Sequence, residues 1–307
     1  MTSFATVADQ RAIEADAPWA ARGQARSMYE YLTQAKDRHG ARPAVSFQLL
    51  SGPADKKVTL TWAELHGEVT RAANLFRALG IGPKDVVAFV LPNAIETAAV
   101  LLGGAVAGIV NPINPLLEPE KISAILRETG AKVVVTLKAF PKTDVPQKVA
   151  EAVQFAPEVR CVLELDLVGY LSGLKKLIVP LIRPKNPVAH TATVKDFSAE
   201  MAKMPADRLS FADILEDRVA AHFHTGGTTG MPKVAQHKMS GMIYNGWLGA
   251  NLLFKPTDVV LCPLPLFHVF ACYPVLMSMI GSGAHVVFPT PQGYRGEGVF
   301  DLSLIHI

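Results

Sequence analysis

Cysteine is scarce in this sequence of 307 residues, which contains only Cys161, Cys262 and Cys272. The three cysteines lie far apart, and none belongs to a Cys-x-x-Cys pair, the spacing that redox and zinc sites use. Sparse cysteines in an odd number argue against a disulfide framework. They predict reduced core residues in a cytoplasmic protein.

Net charge is also small, because 30 Lys and Arg residues stand against 27 Asp and Glu residues, leaving a formal charge of +3. No basic run alternates with aromatic residues, so the composition argues against nucleic acid as a partner. The first residues include Asp9, Glu14 and Asp16 and contain no apolar run. This composition argues against a secretory signal.

Residues 259–294 contain no Asp, Glu, Lys or Arg, yet prolines and glycines divide them into short pieces. A membrane-spanning helix needs about 20 largely uninterrupted apolar residues. The pattern instead predicts a strand over 259–262, a helix over 269–280 and a strand over 284–288. Strands of this composition are typical of buried parallel sheets.

Strand and helix patterns alternate along the chain before this stretch. Thr61-x-x-Glu64 is a capping box that predicts the start of a helix, and Gly80 predicts its end. Alternation of this kind predicts an α/β fold with doubly wound, mostly parallel sheets. The predicted helices lie at 27–38, 61–79, 95–107, 119–129, 145–155 and 241–253, the last capped by Ser240, and the predicted strands at 43–47, 57–60, 86–91, 109–110, 132–136 and 160–165.

The stretch Thr225–Lys233 reads Thr-Gly-Gly-Thr-Thr-Gly-Met-Pro-Lys and lies between two short strand patterns, 219–224 and 234–237. A glycine-rich loop can turn successive backbone N–H groups toward one anion. Hydroxyl groups and a lysine complete such a site. The pattern predicts a strand, a phosphate-binding loop and a second strand.

This stretch differs from two known phosphate-binding motifs. A Walker A loop places Lys directly after Gly and then a hydroxyl residue, whereas Pro232 precedes Lys233 and Val234 follows it. The glycines also lack the Gly-x-Gly-x-x-Gly spacing of dinucleotide-binding folds. A flexible surface turn remains as the purely structural alternative.

Thr225–Lys233 resembles the signature loop of adenylate-forming enzymes, which include acyl- and aryl-CoA synthetases, peptide-synthetase adenylation domains and beetle luciferases. The chain is most similar to bacterial fatty-acyl-CoA synthetases, and the resemblance extends from about residue 27 to 300. Asn111–Pro119 resembles an earlier motif of the family. Val234 departs from the glycine that the family usually has.

The resemblance implies ATP-dependent activation of a fatty acid or other carboxylate to acyl-AMP, followed by thioester formation with CoA. It implies ATP, Mg²⁺ and CoA as cofactors or substrates, with Thr228 as the metal-contacting residue. It also implies that Lys233 takes part in catalysis. The phosphate-binding residues implied are Thr225, Gly226, Gly227, Thr228, Thr229, Gly230 and Lys233.

His268 follows the predicted strand 259–262 in the run Pro-Leu-Pro-Leu-Phe-His, and alone it is typical of a core histidine. The order of loop, helix, strand and histidine resembles the family, in which the matching histidine contacts the acyl carboxylate. His268 is thereby a candidate catalytic residue. Phe267, Phe270 and Tyr244 are candidates for the acyl pocket. His222, His224 and His237 suggest a zinc site only weakly, since no Cys or carboxylate joins them at ligand spacing.

Residues 169–187 form a basic, apolar segment, and no acid occurs between Asp166 and Asp196. Such a segment can lie in a membrane interface or can pack as a surface helix with solvated lysines. A peripheral membrane contact from Gly169 to Pro187 is therefore one of two interpretations.

The predicted organisation is a leader with the first strands (1–60), a first α/β subdomain (61–215) and the start of a second α/β subdomain (216–307). The family's later motifs, including its C-terminal lysine, do not occur, so we expect this fragment to be inactive alone. An aryl-CoA ligase, a peptide-synthetase adenylation domain and a non-catalytic nucleotide- or membrane-binding module remain as alternatives.

Overall fold

A computed structural model describes residues 6–50, 55–185, 188–225 and 233–291 of the chain. Within these ranges the chain is an α/β structure with two sheets, which confirms the predicted fold class. The strands are β1 (Pro43–Gln48), β2 (Lys57–Thr61), β3 (Val86–Val90), β4 (Ile109–Pro112), β5 (Ala131–Leu137), β6 (Cys161–Leu165), β7 (Thr193–Asp196), β8 (Val219–His224), β9 (Val234–Lys238), β10 (Val259–Leu261) and β11 (His285–Phe288).

The described residues also form ten α-helices. They are α1 (Val7–Asp16), α2 (Met28–His39), α3 (Trp62–Ala78), α4 (Ile95–Ala107), α5 (Pro119–Thr129), α6 (Val145–Val153), α7 (Gly173–Leu181), α8 (Phe197–Ala202), α9 (Met239–Leu252) and α10 (Ser278–Ser282), with 3₁₀ turns at Trp19–Arg22 and Leu167–Tyr170 and a π-helical segment at Ala271–Met277.

The larger sheet has the spatial order β7-β6-β5-β3-β4-β8-β9. The first six strands are parallel, and β9 pairs antiparallel with β8. Every residue of β3 is buried, as expected for a central parallel strand covered on both faces. The carboxyl ends of these parallel strands meet at one edge, where open α/β sheets bind ligands.

The smaller sheet has the order β10-β11-β1-β2 and joins distant parts of the chain. Val45 of β1 lies opposite Val286 of β11 in a parallel pair. Strand pairing therefore crosses the predicted boundaries near residues 60 and 215, because β1 pairs with β11 and β8 pairs with β4 in the larger sheet. The three-part division of the chain stays a prediction.

Local sequence signals explain how the helices begin and end. Thr61 and Glu64 form the predicted capping box at the start of α3. Helix α5 ends at Gly130, whose φ of 62° lies in the left-handed region that glycine adopts without strain. A Cβ on Gly103 of α4 would lie 2.6 Å from the Cβ of Ala72 on α3, so the absent side chain allows the two helices to pack closely.

Three predictions of local structure were wrong in detail. Helix α9 begins at Met239, and Ser240 is not its cap; the backbone N–H of Ser240 instead donates to Asp217 Oδ1 at 3.0 Å. Residues 197–202, where no helix is predicted, form α8, because Asp196 caps the helix and Phe197 is buried. The helix predicted over 269–280 contains the π-helical turn 271–277.

The apolar stretch 259–288 forms two strands and a broken helix. Strand β11 is largely buried as predicted, but β10 lies at the edge of the smaller sheet and none of its residues is buried. Among the described residues, none of the helices has the length and the apolar run that crossing a bilayer requires.

Candidate active site

The glycine-rich loop leaves the larger sheet at the carboxyl end of β8. The backbone N–H of Thr225 donates to the carbonyl of Lys233 at 3.0 Å, and the N–H of Lys233 donates to Thr225 Oγ1 at 3.2 Å. These two bonds close the base of the loop between β8 and β9. Both residues are exposed, so the lysine ammonium is accessible to a ligand.

The rest of the loop, residues 226–232, lies outside the described residues. The phosphate-binding roles predicted for Gly226, Gly227, Thr229 and Gly230, and both roles predicted for Thr228, fall in this segment and stay predictions.

Asn111, at the end of β4, fixes the strand that leads into the loop. Its Nδ2 donates to the carbonyl of His222 at 3.0 Å and lies 2.8 Å from His224 Nε2. The bond to a carbonyl identifies this atom as the amide nitrogen, which can only donate. His224 Nε2 therefore accepts from it, and the proton of the neutral imidazole lies on Nδ1. Asn111 is completely buried, so it positions the loop without contacting solvent.

The histidines of β8 do not supply positive charge to this site. Burial, with a smaller contribution from His222, lowers the pKa of His224 to about 4. Burial and then the charge of His237 lower the pKa of His222. Both imidazoles are therefore neutral at pH 7, and Lys233 is left as the cation at the loop base. Among the described residues, no group of three His, Cys, Asp or Glu side chains could hold a metal ion.

On the opposite face of β8, the rings of Phe223, His237 and Tyr273 pack together. Phe223 lies 5.3 Å from His237 and 5.6 Å from Tyr273, measured between ring centroids. Tyr273 belongs to the π-helical turn that follows His268. This contact joins the strand before the glycine-rich loop to the segment that carries the candidate histidine.

His268 lies in the turn between β10 and that helical segment, and its side chain is exposed. Its Nδ1 accepts a hydrogen bond from the backbone N–H of Phe270 at 3.3 Å. The accepting nitrogen carries no proton in the neutral ring, so the proton lies on Nε2. Nε2–H of this exposed ring is therefore free to donate a hydrogen bond to a carboxylate oxygen.

Asn93 attaches the turn of His268 to the larger sheet. It follows β3 and donates through Nδ2 to the carbonyl of Leu264 at 2.8 Å, while its Oδ1 accepts from the N–H of Leu266 at 2.8 Å. Strands β3 and β8 are separated by β4 alone, which places their ends about 10 Å apart at the same edge. Sequence reasoning missed Asn93, although an asparagine directly after a buried strand and a proline is a usable signal.

The predicted acyl-pocket residues lie in different surroundings. Phe267 is half-buried and packs against the core, and Phe270 is 54% exposed. Tyr244 is 47% exposed on α9, and its ring packs edge-on against Trp19 at 5.1 Å and stacks with Trp247 at 6.0 Å. The pocket roles of these residues stay predictions.

Comparison with known proteins matches most of the chain to one enzyme family. The model of the AMP-binding enzyme family matches residues 32–301. The chain is 32% identical over 262 residues to marinolic acid–CoA ligase of Pseudoalteromonas sp. (strain SANK 73390), which covers 82% of this chain and 36% of the relative. It is 30% identical over 209 residues to a long-chain-fatty-acid–CoA ligase of Yersinia pestis, covering 65% of this chain and 36% of the relative.

A similar fold occurs in the crystal structure of the anthranilate CoA ligase AuaEII in complex with anthranoyl-AMP. The TM-score is 0.68 at 17% identity, and the match covers 88% of this chain and 46% of that one. The chain thus spans less than half the length of these relatives. The matched range includes the glycine-rich loop, the turn of His268 and both asparagines that hold them, and the chain belongs to the AMP-binding enzyme family.

Proposed function

We propose that this chain is part of an AMP-forming acid–CoA ligase that activates an apolar carboxylate, most simply a fatty acid. Both relatives reported above are named as acid–CoA ligases. The observation that supports the proposal best is the placement of an exposed lysine at the end of the loop that follows β8 and of a donor-bearing histidine in the turn that follows β10. Buried Asn111 holds β8, and buried Asn93 joins the turn to the end of β3.

Lys233 would hold the phosphates of ATP, because the neighbouring histidines are neutral at pH 7 and contribute no charge. The Thr225 hydroxyl already accepts a bond from the N–H of Lys233, so it retains its own proton for donation to a phosphate oxygen. The positive charge of Lys233 would stabilise pyrophosphate increasingly as its bond to the α-phosphorus breaks and negative charge develops on it.

The Nε2–H of His268 would orient the carboxylate for attack on the α-phosphorus of ATP. The attack forms the mixed anhydride acyl-AMP and releases pyrophosphate. In a second step the CoA thiol would attack the acyl carbon, form the thioester and release AMP. Bound Mg²⁺ would neutralise phosphate oxygens, and Thr228 is the residue we propose for it.

The alternative substrate is an aryl acid, since a 4-coumarate–CoA ligase of Pinus taeda is 29% identical to the chain over 243 residues. A peptide-synthetase adenylation domain and a non-catalytic nucleotide-binding module are further alternatives. Pyrophosphate exchange by the full-length protein, measured with palmitate, decanoate, 4-coumarate and anthranilate, separates these cases. We expect the fastest exchange with a fatty acid; preference for an aryl acid would refute the fatty-acid assignment, and exchange with none would refute the ligase.

We expect activity only from a protein as long as these relatives, because this chain spans 36% of the marinolic acid ligase. The isolated chain should therefore show no exchange. We further infer a cytoplasmic location, supported by three cysteines that are all free and buried. Peripheral membrane contact is a separate proposal.

A further inference from the structure

Helix α7 presents a continuous apolar stripe to solvent. The stripe consists of four large residues of the helix and the residue that caps its end, all at the spacing of one helix face and each between 43% and 83% exposed: Leu174, Leu177, Ile178, Leu181 and Ile182. None of the nine residues of α7 is buried. An amphipathic surface helix ordinarily turns such a face inward, and contiguous exposed apolar surface marks an interaction site.

The position of α7 is fixed by its flanks and by its other face. Tyr170 and Leu171 are buried just before the helix, and Val179 packs partly against the core. After the helix, Arg183 donates to the carbonyl of Ala139 at 3.0 Å and pairs with Asp166 at 2.6 Å. The stripe therefore faces outward in a helix that is attached at both ends.

Positive charge borders the stripe. The chain has no acidic residue between Asp166 and Asp196, and Lys175, Lys176 and Lys185 are exposed. Lys175 Nζ lies 3.7 Å from Asp55 Oδ1, and the lysine side chain is 63% exposed in this ion pair. An apolar face with a basic border is complementary to an anionic bilayer surface, into which the apolar side chains insert while lysines reach the headgroups.

We propose that the α7 stripe docks on the surface of an anionic lipid bilayer. The basic border favours this partner over a second copy of the chain, because an apolar contact between two copies would bring lysines of like charge together. A peripheral contact of this kind would keep the enzyme where apolar carboxylates dissolve. The docking does not depend on the proposed catalytic function.

Co-sedimentation with vesicles tests the docking on the 307-residue chain. One set of vesicles is pure phosphatidylcholine and the other contains equal parts of phosphatidylcholine and phosphatidylglycerol. We expect binding to the mixed vesicles that weakens with added salt, since headgroup attraction is screened. The double substitution Leu177→Ser with Leu181→Ser should weaken this binding by about tenfold or more.

The matched control is Leu116→Ser with Leu253→Ser, which removes two leucines that are 77% and 67% exposed elsewhere on the surface. It should leave vesicle binding unchanged. Both double variants should keep the wild-type melting temperature, because none of the four side chains is buried. Replacing Lys175 and Lys185 by Gln should reduce binding to the mixed vesicles about tenfold and leave any binding to pure phosphatidylcholine unchanged.

Absence of sedimentation with either vesicle would overturn the proposal. Equal loss in the stripe variant and in the control would also overturn it. If the wild-type chain elutes as a dimer that Leu177→Ser with Leu181→Ser converts to a monomer, and vesicles do not bind, the stripe is an interface between copies instead. None of these outcomes depends on pyrophosphate exchange, so failure of the docking and failure of the proposed function are distinguishable.

Discussion

Removing the side chain of Asn93 should loosen the turn that carries His268. Asn93→Ala deletes one hydrogen bond to the half-buried carbonyl of Leu264 and one from the buried N–H of Leu266. Leaving a buried backbone N–H unpaired costs about 1–3 kcal/mol, and the second bond contributes about 1 kcal/mol. The expected loss of unfolding free energy is about 3 kcal/mol.

Thermal unfolding followed by circular dichroism measures this loss. At about 2.1 cal/mol/K per residue, a chain of 307 residues has an unfolding entropy of about 0.6 kcal/mol/K. A loss of about 3 kcal/mol therefore lowers Tm by about 5 °C. Asn93→Asp keeps the acceptor for Leu266 and should lose less than Asn93→Ala.

Asn251→Ala is the control, because Asn251 donates to the carbonyl of Trp247 on the exposed face of α9. Its Tm should change by less than about 1 °C. If Asn93→Ala lowers Tm by no more than this control, Asn93 does not anchor the turn.

Two further perturbations test other parts of the account. Arg218 donates to the carbonyls of Ala105 and Gly108 at 2.6 Å. Arg218→Met should therefore leave the carbonyls at the end of α4 unpaired and lower Tm by about 5 °C, and Arg218→Lys should lower Tm by less. A Tm of Arg218→Met equal to that of the wild type would contradict this. Burial lowers the pKa of His66 to about 4, so the unfolded chain binds more protons between pH 4 and 6.5 and stability falls as pH drops through that window. His66→Gln should make the decrease in Tm from pH 7 to pH 5 smaller than in the wild type, and an unchanged decrease would exclude this histidine.

Elements with local signals were predicted well from the sequence. The capping box at Thr61, the terminal Gly130 and the buried apolar run at Val86–Val90 each depend on neighbours within a few residues. The strands on both sides of the glycine-rich loop follow for the same reason. The cap of α9 could not be predicted, because Asp217 reaches Ser240 from 23 positions earlier in the chain.

Long-range pairing accounts for most of what sequence reasoning missed. No local pattern indicates that Val45 pairs with Val286 or that Asn93 binds the backbone 173 positions later. The family resemblance made Lys233 and His268 candidates, and their roles stay predictions. Only the three-dimensional structure shows that Asn93 binds the turn of His268 to the end of β3. The neutral state of His224 also depends on burial by distant residues, so it could not be inferred from the loop sequence.

The most direct test of the central claim is acyl-dependent exchange of pyrophosphate into ATP by the full-length enzyme. We predict that Lys233→Ala and His268→Ala each lower the exchange rate about 100-fold or more without changing Tm, since both side chains are exposed. Lys255→Ala, an exposed lysine after α9, should exchange at the wild-type rate. Wild-type exchange in the Lys233→Ala and His268→Ala variants would contradict the assignment of this sheet edge as the active site.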